Sequence, residues 1–274
     1  MIKSKTPIKY YGGKQKVAKW VISHFPKHDC YVEAFAGGLA VFFARVRKVK
    51  AEVINDKNSF VFNFYKQYRD NPQELIRVLE ATPYSREEYD HCHAIYNGKL
   101  SANELEKARA FFVLCWQSYA ANMDTWGTSK TNSQPDTTGR RVELLKMLTY
   151  RLRQVYIENR DALKVIDQWD GPNTFFYLDP PYPITDQRGY RGTYTLQDFN
   201  KLLSLLKGIK GKFLLSCYLK KGMKIAPEWN QSHRETICHA QKTDLVEKRE
   251  KRMETLIYNY NLRRSSNNAK KTKR

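Results

Sequence analysis

The chain is 274 residues long with a formal net charge of +20 and a pI near 9.7, and 41% of its residues are hydrophobic. That length and apolar content suffice for one sizeable catalytic core with a small appended module, and the charge favours a polyanionic partner, DNA or RNA, whose phosphates Lys and Arg neutralise. No run of about twenty apolar residues exists to argue for a bilayer-spanning helix, and Cys30, Cys92, Cys115, Cys217 and Cys238, odd in number and without CxxC spacing, read as reduced thiols of a cytosolic protein.

The first informative stretch is Pro7-Ile8-Lys9-Tyr10-Tyr11-Gly12-Gly13-Lys14, a glycine pair ahead of a helical pattern over 15–25 whose apolar positions 17, 21 and 25 fall on one face. The GxxxxGK spacing is absent and Lys14 is not followed by Ser or Thr, which excludes a triphosphate-binding loop. A cation beside a glycine turn still suits a carboxylate or a phosphate. Residues 30–41 then read as a strand, a small-residue turn and a helix reaching Arg47; Gly37 and Gly38 let the backbone approach a ligand, and the helix start offers unpaired N–H groups. The next strand, Ala51–Asn55, ends in Asp56, about twenty positions past the glycine turn, where a ribose-hydroxyl acceptor is expected in doubly wound folds; a helix N-cap role, shared with Asn58, is the compatible alternative.

The stretch 59–150 is too long for a loop in a compact domain and predicts an inserted helical subdomain. There 58–68 is rich in aromatic residues at mixed spacing, 71–79 and 85–95 read as short helices, 101–119 as a stretch capped by Ser101 with Glu104 completing a capping box, and 123–138 as a polar loop. His91-Cys92-His93 has no second cluster to complete a tetrahedral site, so no metal is expected.

Beyond the apolar strand Thr174–Leu178 stands Asp179-Pro180-Pro181-Tyr182. A planar conjugated amine is a poor nucleophile until its lone pair is drawn out of the ring; Asp179 and the Pro180 carbonyl, fixed by two locked proline torsions, can accept hydrogen bonds from one NH2 group and do so. Tyr182 offers a face on which a flipped-out base stacks. The polar stretch 184–195 follows as a loop that closes over the base or meets phosphate, with Arg188 and Arg191 as its cations. Then come a helix over 196–206, strands over 212–218, 235–240 and 254–260, and a basic polar tail over 263–274, expected to be disordered and to aid nonspecific DNA association.

In order and spacing these motifs resemble, almost end to end, the Dam-type (D12 class) adenine-specific DNA methyltransferases, which use S-adenosylmethionine. The resemblance implies an α/β, Rossmann-like catalytic domain from 1–58 and 151–274, with 59–150 as an inserted target-recognition domain. It assigns Tyr10, Gly12, Gly13, Lys14, Glu33, Phe35, Gly37, Gly38, Asp56, Asp161 and Asp179 to the cofactor, with Asp56 on its ribose and Asp161 on its adenine. Asp179, Pro180, Pro181 and Tyr182 carry catalysis. The segment 111–122 resembles the family's lead into a major-groove loop. It lacks the Arg that reads guanine, which argues against a plain GATC target; Gln117 and Asn122 suit adenine. Gln117 and Asn122 are thus candidate base readers and Tyr119 a wedge or stacking residue, although Trp116 and Tyr119 read equally well as core aromatics. Lys9 is a DNA contact by its place in the family. The expected partner is double-stranded DNA in a bacterial or phage cytoplasm, with a cognate restriction endonuclease and a monomeric or weakly dimeric enzyme. An RNA adenine methyltransferase and a catalytically silent DNA-binding homologue are the competing readings.

Overall fold

The computed structural model describes residues 6–45, 49–131, 133–183, 193–237 and 251–262. Arg188, Arg191 and the tail over 263–274 therefore lie outside the described residues.

A first short helix, α1 (Ala18–Ser23), precedes strand β1 (Cys30–Glu33), helix α2 (Ala40–Ala44) and strand β2 (Ala51–Asn55). Helices α3 (Ser59–Asp70), α4 (Pro72–Glu80), α5 (Arg86–Tyr96), α6 (Glu104–Gln117) and α7 (Gln134–Leu148) follow without an intervening strand. The chain then returns through β3 (Val155–Glu158), α8 (Ala162–Trp169), β4 (Thr174–Leu178), α9 (Leu196–Leu206), β5 (Lys212–Cys217), β6 (Asn230–Ile237) and β7 (Lys251–Tyr258). Among the described residues the strands form one seven-stranded sheet in the order β3-β2-β1-β4-β5-β7-β6. The first five strands are parallel, and β7 runs antiparallel between β5 and β6.

Side chains alternate across this sheet and fill two cores. Tyr31, Ile54, Phe175 and Tyr177 face one core with Phe64 and Phe111; Val32, Val53, Phe176 and Leu178 face the other with Ile166 and Phe199. β4 is buried on both faces, as its continuous apolar run requires of a central parallel strand. The helical segment α3 to α7 shares the first core: Phe64 of α3 lies 6.0 Å from Phe111 and stacks on Phe112 of α6, and Phe111 reaches Tyr10 at 6.2 Å. A buried ion cluster fixes the return of the chain to the sheet. Arg151 meets Glu52 of β2 at 2.5 and 2.8 Å, and Arg45 meets the same carboxylate at 3.1 Å.

Local boundaries differ from the sequence expectation where capping chemistry decides them. Asn103, not Ser101, caps α6, its side chain accepting from the Glu106 N–H at 2.9 Å, so no capping box closes at Ser101. Residues 134–138 belong to α7, which starts behind the Ser133 cap with Pro135 in its first turn, where a proline lacks only an N–H that would be unpaired anyway. The helix expected over 15–25 shrinks to α1, and α2 ends at Ala44 because Arg45 is already extended.

Candidate active site

Because β2, β1 and β4 are adjacent and parallel, their carboxyl ends lie side by side, at the point where strand order reverses about β1. Each end delivers an acid: Glu33 closes β1, Asp56 follows β2 and Asp179 follows β4. A cavity of about 300 Å³ opens there and is bordered by all eleven residues expected to hold a cofactor, together with Pro181. Pro180 and Tyr182 stand outside that lining.

The glycine turn is held from three directions. The Gly37 N–H donates to Asp56 Oδ2 at 2.8 Å, the Asn58 N–H donates to Asp56 Oδ1 at 2.8 Å, and the Tyr65 hydroxyl of α3 donates to the Gly37 carbonyl at 3.0 Å. Burial nevertheless lifts the Asp56 carboxyl to about 6, against the two backbone N–H bonds that lower it. Asn58 takes the cap of α3. Besides bordering the cavity, the two glycines are packed closely against Tyr10. A Cβ on Gly37 would stand 2.9 Å from Tyr10 Cδ1, and one on Gly38 would stand 3.1 Å from Tyr10 Cβ. Gly37 has φ +45°, and Leu39, at the N-cap of α2, is left-handed at φ 52°, a strained conformation for a branched residue beside the cavity.

Asp179 is part of a network. Lys14 Nζ lies 2.8 Å from Asp179 Oδ1, 3.3 Å from the Gly12 carbonyl and 3.9 Å from Glu254 Oε1, and sits 4.8 Å over the centroid of the Tyr182 ring. The Tyr182 hydroxyl donates to Glu254 and lies 3.3 Å from Asp179 Oδ1; Ser216 Oγ donates to Glu254 Oε1 at 2.5 Å. Tyr218 packs against Tyr182 edge-on, with centroids 4.6 Å apart. Burial raises the Asp179 carboxyl to about 6, outweighing the Lys14 ammonium that lowers it. Burial also raises Glu33 to about 8, although the Tyr31 hydroxyl donates to it at 2.7 Å. Among the described residues the buried Tyr177 hydroxyl, on the cavity wall, has no hydrogen-bond partner. Three enclosed carboxyls and an unanswered phenol suit a ligand with positive charge and hydroxyl or amino groups.

Several residues here were not singled out in the sequence. Asn55 ends β2 and ties three segments: its amide nitrogen donates to the carbonyls of Ala34 and Arg160 at 3.0 and 3.1 Å, and its oxygen accepts from the Arg160 N–H at 2.9 Å. That staple sets the neighbouring Asp161, which caps α8 through the Leu163 N–H. The signal for Asn55 was an amide closing a hydrophobic strand; for Glu254 it was an acid inside the apolar alternation of the last strand, and for Ser216 a hydroxyl within an apolar run.

The residues expected to meet DNA are dispersed. Lys9 is exposed beside Tyr10. Tyr119 projects past the end of α6 at 44% exposure. Gln117 is a correction: it is 1% exposed with its amide donating to the Pro83 carbonyl at 3.0 Å, so it belongs to the core and presents nothing to a base. Trp116 is likewise buried, its indole N–H bonded to the Pro7 carbonyl at 3.1 Å. Asn122, a candidate base reader, engages its side-chain oxygen with the N–H groups of Asp124 and Thr125, both at 3.1 Å. The turn around it stores strain, with Ala120, Ala121 and Met123 all at positive φ.

Comparison with known proteins bears on this arrangement. The family model described as D12 class N6 adenine-specific DNA methyltransferase matches residues 10–266. The chain is 30% identical to Type II methyltransferase M1.LlaDCHI of Lactococcus lactis subsp. cremoris, over 70% of each protein. It is 28% identical to Modification methylase LlaI of Lactococcus lactis subsp. lactis over 94% of this chain, which spans 44% of that longer protein. It is 25% identical to Type II methyltransferase M.MjaIII of Methanocaldococcus jannaschii, over 70% of this chain and 74% of that one.

Proposed function

The chain belongs to the D12 class of N6 adenine-specific DNA methyltransferases, and from that membership we propose that its cavity holds S-adenosylmethionine and presents the target adenine to Asp179. The observation that carries this reading is the cavity at the carboxyl ends of β1, β2 and β4, edged by Glu33, Asp56 and Asp179. The residues suit the donor: its cationic sulfur and amino group answer the acidic walls, and its hydroxyls suit Asp56. When bound, the donor supplies an electrophilic methyl group.

The chain's own residues do the rest. Asp56 braces the glycine turn with one oxygen edge and is the acceptor proposed for the ribose; Asp161, fixed through Asn55, is proposed at the adenine end. Asp179 accepts from the N6 amino group and draws its lone pair out of conjugation, with the Pro180 carbonyl as second acceptor. Tyr182 is the stacking face, its hydroxyl moored to Glu254 so that the ring does not swing away. Above about pH 6 Asp179 is ionised and can accept the proton that N6 sheds after methylation. The target must leave the duplex to reach Asp179, at a cost of a few kcal/mol that stacking offsets. We assign DNA reading to the helical segment over 59–150, with Lys9 and Tyr119 as the exposed contacts. The names of the relatives, type II methyltransferase and modification methylase, support a cytoplasmic restriction-modification role with a partner nuclease.

Donor binding measured by calorimetry tests the cofactor assignment. Asp56→Ala should bind S-adenosylmethionine at least about tenfold more weakly, the scale of one lost buried hydrogen-bonded contact. Equal affinity would remove Asp56 from the site.

A further inference from the structure

Lys14 stands where the reaction needs something else. On the reading that Asp179 takes the target amine and Tyr182 its ring, on which this inference rests, both positions already engage one ammonium: 2.8 Å from Asp179 Oδ1 and 4.8 Å over the Tyr182 centroid. A cationic nitrogen donating to a carboxylate while lying over an aromatic face reproduces the two contacts of an exocyclic amine on a stacked base. The ammonium and the amine cannot share that ground, and an amine gaining positive charge as it is methylated would be repelled by a cation on the same carboxylate.

An alternative seat lies close by. Glu254, on β7, has a side chain only 4% exposed, and its Oε1 is 3.9 Å from Lys14 Nζ. Its hydrogen bonds come from the neutral hydroxyls of Tyr182 and Ser216, and a carboxylate so enclosed gains from a contacting cation. A shift of about 1 Å along the line to Glu254 brings the ammonium to charge-assisted bonding distance. We infer that Lys14 is a stand-in for the target amine in the resting enzyme, and that arrival of the base moves it from Asp179 onto Glu254. Glu254 is then a positioning residue, whose negative charge, beyond its hold on Tyr182, keeps Asp179 available to the substrate.

Single-turnover transfer from labelled S-adenosylmethionine to unmethylated duplex DNA, at donor concentrations shown by titration to saturate each variant, tests this. Glu254→Gln keeps shape and loses charge, so it should transfer at least about tenfold more slowly; Glu254→Asp, which keeps charge at the expense of shape, should be faster than Glu254→Gln. In the Glu254→Gln background, adding Lys14→Met removes the cation that has nowhere to go and should recover rate several-fold. A residue that merely held Tyr182 would give the opposite order of Asp and Gln and no recovery, and either of those results overturns the inference. A wild-type enzyme that transfers nothing to DNA would instead overturn the reading beneath it.

Discussion

Burial raises all three acids at the strand ends, Asp56 and Asp179 to about 6 and Glu33 to about 8. Asp179, raised by burial to about 6, must be ionised to accept from the amine, so the rate of methyl transfer should fall as pH drops through about 6 and be level above it, in a single-turnover pH series. A rate that holds to pH 5 would remove Asp179 from that role. Glu33 moves further, to about 8 in the folded chain, again through burial. Between the ordinary glutamate value of about 4.3 and 8 the folded protein holds a proton that the unfolded chain has released, so Glu33 makes stability fall as pH rises, by up to about 1.4 kcal/mol per pH unit in that window. Glu33→Gln removes this dependence. Urea unfolding at pH 5 and pH 8 should therefore show the variant gaining on wild type at the higher pH, and parallel curves would refute the shift. Gly37→Ala meets Tyr10 at 2.9 Å in a left-handed backbone and should cost about 1 kcal/mol or more of stability.

At the scale of elements, the site depends on how strand ends are tied. Asn55 joins the ends of β1 and β2 to the segment before α8 with three hydrogen bonds. Asn55→Ala leaves the buried Ala34 carbonyl unpaired and frees the part-buried Arg160 backbone, and should destabilise by about 1–3 kcal/mol in denaturant titrations, with weakened donor binding, because Asp161 loses its anchor. Tyr65→Phe removes one bond to the glycine turn and should cost about 1 kcal/mol. The strands and their acids were legible in the sequence because each is an apolar run ending in a polar break: Glu33, Asp56 and Asp179 all occupy such breaks. Helix edges in the inserted segment were less so. Ser101 and Asn103 are both competent caps, and only the path of the chain selects Asn103; Gln134-Pro135 resembles a loop until Ser133 caps it. Family resemblance and the adenine-reading chemistry of an amide point to Gln117 as a base reader, whereas Pro83, 34 positions away in sequence, holds its side chain in the core. Glu254 acquires meaning only when β7 folds beside β5 and brings it to Tyr182, a contact between residues 72 apart.

Over the whole molecule, a net charge of +20 is carried by a fold whose parallel strands β1, β2 and β4 put Glu33, Asp56 and Asp179 around one cavity. The acidic cleft suits a cationic donor and the basic remainder suits DNA phosphate. Affinity for duplex DNA should fall linearly in log–log form with salt, with a slope of about −0.9 per neutralised phosphate, so six contacts lose on the order of 10³-fold between 50 and 200 mM salt. A slope near zero would separate the charge from DNA binding. The account turns on Asp179, and the most direct measurement is the chemical site and rate of label transfer from S-adenosylmethionine into unmethylated duplex DNA by wild type and Asp179→Ala, with the donor bound in both. We predict label on adenine N6 from wild type and a loss on the order of 10²–10³-fold in the variant. Label elsewhere than adenine N6, or an Asp179→Ala enzyme that keeps its rate, would contradict it.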